Sequence, residues 1–104
     1  NKVKESLSFS DYQKSDRDFA FVVDKHINAQ NLTEVISDID NSLIKDVKIF
    51  DVYEGENIPS GKKSIALKVT IQSDHKTLNE NDLTDISNKI VNSVEEKIGA
   101  KLRS

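Results

Sequence analysis

Hydrophobic and polar positions switch between a two-residue and a helical period several times along the chain. In RDFAFVVD (17–24), Phe19, Phe21 and Val23 alternate with Ala20 and Val22, which predicts a β-strand rich in β-forming side chains. After the polar stretch DKHINAQ, Asn31 is placed to cap a helix, and Leu32, Val35, Ile36, Ile39 and Leu43 recur at helical spacing with Thr33, Glu34, Ser37, Asp38 and Asn41 outward. That helix is expected over 32–44. From Val47 to Gln72 two alternating runs flank a loop punctuated by Gly55, Pro59 and Gly61, the pattern of a β-hairpin with a long connection. In its second run Ile65, Leu67, Val69 and Ile71 alternate with Ser64, Ala66, Lys68 and Thr70. In its first run, placing Phe50 and Val52 toward the core leaves Asp51 and Tyr53, with Val47 and Ile49, on the opposite face. Past SDHKTL, Asn79 and Asp82 have the spacing of a capping box for a second helix, whose stripe is Leu83, Ile86, Ile90, Val94 and Ile98 and whose natural end is Gly99. AKLRS is long enough for one short strand.

The order is therefore β-α-β-β-α-β, the split-βαβ or ferredoxin-like arrangement of the α+β class: four antiparallel strands with two helices on one face and the other face open. The helix stripes are expected to cover Phe19, Phe21, Val23, Phe50, Val52, Ile65, Leu67, Val69 and Ile71. The same alternation projects Ala20, Asp51, Tyr53 and Ser64 from the open face. Residues 1–16 read as a polar lead-in anchored by Leu7, Phe9 and Tyr12, and 17–104 as the folded domain. Val47 and Ile49 leave apolar surface on the open face for the lead-in, or something else, to cover.

At 104 residues, with 36% apolar and 32% charged residues, the chain is expected to build one solvated domain around one core. No apolar run approaches the roughly 20 residues that span a bilayer, and no signal peptide opens the chain. Without cysteine there are no disulfides or thiolate metal sites, which fits a cytoplasmic protein. The first residue is Asn1 rather than Met, as in a piece of a longer polypeptide. A net charge of −3 argues against broad binding to phosphate backbones, which calls for a basic surplus. It leaves room for a small site that reads a few exposed bases.

GENIPSGKKS invites comparison with a phosphate-binding loop, but five residues rather than four separate Gly55 from Gly61, and a strand follows where that mechanism needs a helix N-terminus. His26 and His75 sit apart in polar loops without convergent ligands, the carboxylates are scattered over solvated faces, and no serine lies in a nucleophile elbow. No catalytic centre emerges. Asp51 beside Tyr53 on an open sheet is different: an aromatic ring stacks an unpaired base, and a carboxylate accepts hydrogen bonds from guanine N1 and N2. Structurally the same pair reads as a strand-ending tyrosine and an aspartate paired with a lysine. Lys62, Lys63, Lys68, Lys76 and Arg103 are candidates for a local positive rim, or for ordinary solubilising charges.

Arg17-Asp18-x-Ala20, Phe50-Asp51-Val52-Tyr53-x-Gly55, Gly61-x-Lys63-Ser64-x-Ala66, Thr77-Leu78 and Leu102-Arg103 occur in one chain in that order. The joint pattern resembles the C-terminal anticodon-binding, ferredoxin-fold domain of the bacterial phenylalanyl-tRNA synthetase beta chain, over about residues 9–104. The resemblance implies a noncatalytic domain that grips the anticodon stem-loop of phenylalanine tRNA, whose first anticodon base is guanine. Its tRNA-binding residues carry over to Ala20, Asp51, Tyr53 and Ser64, the four that alternation alone puts on the open face. It further implies a parent ligase of (αβ)2 form that joins phenylalanine to tRNA with ATP and magnesium on its alpha chain, and no cofactor in this stretch. The chain departs from the family pattern at Gln13, where a proline is usual, at Asp16, where a basic residue is usual, and at Lys76, where an arginine is common. These changes touch the packing of the lead-in and the grip on phosphates, and leave the four base-reading positions intact. Two rival expectations remain: a regulatory module of the same fold that binds a small metabolite or partner domain, and a sheet that docks within its own parent chain.

Overall fold

The computed structural model describes residues 13–103. The anchors Leu7, Phe9 and Tyr12 lie outside them. Six elements follow one another: β1 (Ser15–Asp24), α1 (Ala29–Ser37), β2 (Ile44–Tyr53), β3 (Lys62–Ile71), α2 (Glu80–Ile98) and β4 (Lys101–Leu102). The four strands form one antiparallel sheet in the order β2-β3-β1-β4, so the ferredoxin-like arrangement holds. β1 begins at Ser15, which pairs with Ile71, so two residues of the expected lead-in belong to the sheet.

One face of the sheet and both helices close on a single core. Phe21, Val23, Ile65, Leu67, Val69 and Ile71 from the strands meet Leu32 and Ile36 of α1 and Leu83, Ile86, Ile90 and Val94 of α2. Each set follows the period of its element, two for the strands and three-to-four for the helices. Arg17, at the start of β1, reaches 3.3 Å to Glu80 in the first turn of α2 and ties the sheet to that helix.

α1 differs from expectation at both ends. It spans Ala29–Ser37 rather than 32–44, and its cap is Asn28, not Asn31: Asn28 Oδ1 accepts from Gln30 N at 2.9 Å. Both asparagines satisfy the cap preference, and the earlier one meets the chain first as it leaves β1. The helix stops early because Asp40 Oδ1 accepts from the backbone N–H groups of Ser42 and Leu43, folding the chain into a turn. Ile39 and Leu43 still pack against the core, from the turn rather than from the helix.

α2 matches its signals. Asn79 Oδ1 accepts from Asp82 N at 2.9 Å, and Asn79 N donates to Asp82 Oδ2 at 3.1 Å, completing the capping box. Gly99, at φ 78°, ends the helix in the left-handed region. The hydrogen bond from Asn79 N, with that from the Lys76 ammonium, holds the Asp82 carboxyl below its ordinary value of 3.8. A carboxyl lowered in the folded state contributes stability above the ordinary value and loses it as pH falls through the lower folded value. Stability is therefore expected to drop below about pH 4, and Asp82→Asn, which keeps an acceptor at the cap, to flatten that drop. Denaturant midpoints measured from about pH 2 to 5 check this; an unchanged acid limb in the variant would refute it.

Candidate functional site

The face of the sheet opposite the helices is built from cross-strand rows. Side chains directly opposite one another in an antiparallel pair share a face, at about 5 Å, and the next row on that face lies about 7 Å along the strand. Ala20 pairs with Ala66, and Ala66 with Asp51; one row further, Val22 pairs with Ser64, and Ser64 with Tyr53. One small side chain, that of Ala66, thus lies between Ala20 and Asp51, and Ser64 lies beside Tyr53. The register brings all four predicted residues, Ala20, Asp51, Tyr53 and Ser64, into two adjacent rows of the open face.

Their exposures differ. Asp51 is exposed and Tyr53 is 40% exposed, whereas Ala20 is half-buried and Ser64 only 3% exposed. Ser64 is sunk between the larger side chains of Val22 and Tyr53. The patch therefore has a low floor of alanines and serine, walled on the β2 side by a carboxylate and a phenol. Such a floor admits a flat group edge-on toward Asp51 and face-on toward Tyr53.

The first run of the hairpin is where structure and expectation part. Val47 stands opposite Val69 and Ile49 opposite Leu67, so both face the helices and pack against the core rather than projecting from the open face. Phe50, expected in the core, is 58% exposed, and Val52, opposite Ile65 at the end of the outer strand, is 48% exposed. The cause is a β-bulge. Leu67 pairs with Ile49 and the next residue, Ala66, with Asp51, leaving Phe50 as the extra residue. The bulge reverses the parity of β2, so Ile49 faces the core and Asp51 the open side with one residue between them. Phe50 shares a concavity with Asp18, Lys48 and Lys68, members of the next row of the open face.

The basic rim also takes a different form. Lys62 bonds to Asp24 at 2.6 Å, which holds the Asp24 carboxyl below its ordinary value, and Lys76 bonds to Asp82 beside α2. Lys63, opposite Val23, faces the helix side. Arg103 is fixed through its backbone, Arg103 N donating to Ala20 O at 2.7 Å. Of the expected five, Lys62, paired with Asp24, and Lys68 are on the open face, and sequence reasoning missed Lys48 and Lys101, which the register puts there opposite Lys68 and Val22.

The connection between β2 and β3 holds no phosphate-loop geometry. Ile58 N donates to Gly55 O at 3.1 Å and Lys62 N to Pro59 O at 3.0 Å, two successive turns, and a strand follows. Gly55 adopts φ +144°, and a Cβ there meets the Tyr53 hydroxyl at 3.0 Å. The tyrosine ring lies against this turn. Among the described residues no three His, Cys, Asp or Glu side chains are grouped to hold a metal ion, and no helix is long and apolar enough to cross a membrane.

A family profile described as the ferredoxin-fold anticodon binding domain matches residues 10–103. The chain is 41% identical over 103 residues to the phenylalanine–tRNA ligase beta subunit of Bradyrhizobium diazoefficiens, covering 99% of this chain and 13% of that protein. It is 38% identical over 100 residues to the corresponding subunit of Rickettsia prowazekii, covering 96% and 12%, and 41% identical over 102 residues to that of Brucella abortus, covering 98% and 13%. The chain thus spans about one eighth of the length of the relatives it matches.

Proposed function

Because the chain belongs to the ferredoxin-fold anticodon binding domain family, we propose that its open face holds the anticodon loop of a phenylalanine tRNA. What supports this most is the co-location of Ala20, Asp51, Ser64 and Tyr53 in two adjacent rows of one uncovered face. The ring of Tyr53 stacks the first anticodon base. The Asp51 carboxylate accepts from that base's N1–H and N2–H, the donor pair that guanine offers and adenine lacks. Adenine turns the lone pair of N1 toward the carboxylate instead, so the wrong base meets repulsion as well as a lost bond. Ser64 supplies a hydroxyl at the floor, and Ala20 and Ala66 are small enough to let the base edge reach it.

The proposal extends to the whole protein. The domain is one part of a ligase beta chain that works with an alpha chain in an (αβ)2 assembly in the cytoplasm, where ATP and magnesium serve the joining of phenylalanine to tRNA. This chain contributes recognition. We draw its boundary at Ser15, where β1 begins, with the earlier residues as lead-in.

Titrating the chain at low salt with a phenylalanine anticodon stem-loop, and with one carrying adenine as first anticodon base, tests the reading. The guanine loop is expected to bind tighter by about 1–3 kcal/mol, the discrimination of one good bidentate contact. Asp51→Ala is expected to erase that preference, and Tyr53→Ala to weaken both loops by about 1–3 kcal/mol. Equal binding of the two loops by the unaltered chain would overturn the assignment.

A further inference from the structure

Phe50 is the most exposed large apolar side chain of the described residues. The bulge that aims Asp51 also turns the Phe50 ring out, beside the row Asp18–Lys68–Lys48. Phe50, Asp18, Lys48 and Lys68 line one concavity of ≈ 230 Å³. Among the described residues neither lysine forms an ion pair, whereas Lys25, Lys45, Lys62 and Lys76 all do. The spacing is informative. From Ala66, opposite Asp51, to Lys68 is one row of about 7 Å along β3, so the concavity lies beside the Asp51–Tyr53 patch, at the distance of a neighbouring nucleotide rather than of another edge of the same base.

A ring with two unpaired ammonium groups is the combination that holds single-stranded nucleic acid, the ring stacking a base and the cations taking phosphate. We propose that Phe50, Lys48 and Lys68 form a second nucleotide subsite on the same face. Phe50 stacks an unpaired base adjacent to the one on Tyr53, and Lys48 and Lys68 bind the phosphate of that nucleotide. Asp18, on the far side of Lys68, repels the phosphate and confines it to the Lys48–Lys68 side. Asp51, flanked in sequence by Phe50 and two residues later by Tyr53, then lies between two stacking rings. This inference rests on the anticodon reading above and adds a nucleotide to it.

The test uses the 104-residue chain, the guanine and adenine stem-loops, and the variants Phe50→Ala, Phe50→Tyr and Lys48→Gln/Lys68→Gln. Phe50→Ala is expected to weaken both loops about 5- to 150-fold, as for one lost base–aromatic stack, without changing their ratio. Phe50→Tyr retains the stack and binds as the unaltered chain does. The double lysine variant reduces the slope of log affinity against log salt by about 0.7 per lysine, the value for single strands. A stem-loop with the neighbouring base removed makes Phe50→Ala silent. If the unaltered chain prefers guanine while Phe50→Ala and the lysine variant both bind normally, the second subsite is refuted and the anticodon reading stands. If the unaltered chain shows no preference, both fall. Should Phe50→Ala melt early, the salt slope of the lysine variant decides alone.

Discussion

Replacing Phe21 with alanine is expected to destabilise the domain by about 3–5 kcal/mol, the cost of a large core side chain removed from a site that cannot collapse. Phe21 is fully buried in the middle of β1, the strand flanked by both β3 and β4, and its neighbours across the sheet are Ile65 and Leu102. Its ring stacks on that of Phe19 at 5.9 Å with 14° between the planes. Strands hold it on two sides and helices cover it, so the vacated volume stays empty. For a domain of this size each kcal/mol is worth about 4–8 °C, so thermal melts register a fall of at least about 12 °C. Phe50→Ala is the natural comparison: its ring is mostly in solvent, and the expected change is within about 0.5 kcal/mol. Equal losses at the two phenylalanines would mean that Phe50, like Phe21, is a core residue.

Gly55→Ala is expected to lower both stability and RNA affinity, through two separate constraints. The first is the backbone: φ +144° is open to glycine and costly for any L side chain, by about 1–3 kcal/mol. The second is the tyrosine. A new methyl lies 3.0 Å from the Tyr53 hydroxyl and 3.3 Å from its ring carbon Cζ, so the ring or the turn must shift. Affinity for the anticodon stem-loop then falls toward that of Tyr53→Ala, and the two substitutions together cost little more than Tyr53→Ala alone. Gly61→Ala separates the causes, because Gly61 also has a positive φ, +82°, but no atom within 4 Å of the added methyl. It should lose stability and keep affinity. Melting curves and stem-loop titrations on the three variants give the answer; full RNA affinity in Gly55→Ala would show that the turn does not position the ring.

The element order was legible because each element keeps one period along most of its length. The capping box of α2 and its glycine end could be read from residue type and spacing because those bonds are local. The ends of α1 could not, since Asn28 and Asn31 are equally good caps and the turn at Asp40 depends on a side chain bonding backward onto the chain. The site was legible in half. Asp51 and Tyr53 came out on the correct face because alternation over three residues survives any event upstream. Phe50, Val47 and Ile49 fall on the other face, or in another layer, than alternation alone predicts, because the bulge breaks constant parity within β2. A signal was present: the apolar positions run 47, 49 and then 50, 52, a change from odd to even within the strand. Such a phase slip is what a bulge writes into a sequence. Lys48 and Lys101 were missed for a related reason, since their faces follow from pairing rather than from their own neighbours in sequence.

The outer position of β2 gives its irregularities a further meaning. A sheet that ends in a regular strand offers a free row of alternating donors and acceptors, and another chain can add to it without limit. β2 is interrupted twice, between Ile44 and Asp46 and again between Ile49 and Asp51. Each interruption breaks the even spacing of that row and increases the local twist, while Lys45 and Lys48 put charge along it. The strand that presents the aromatic rings is thereby a poor template for strand addition, so its exposed rings and backbone edge do not invite sheet-to-sheet aggregation.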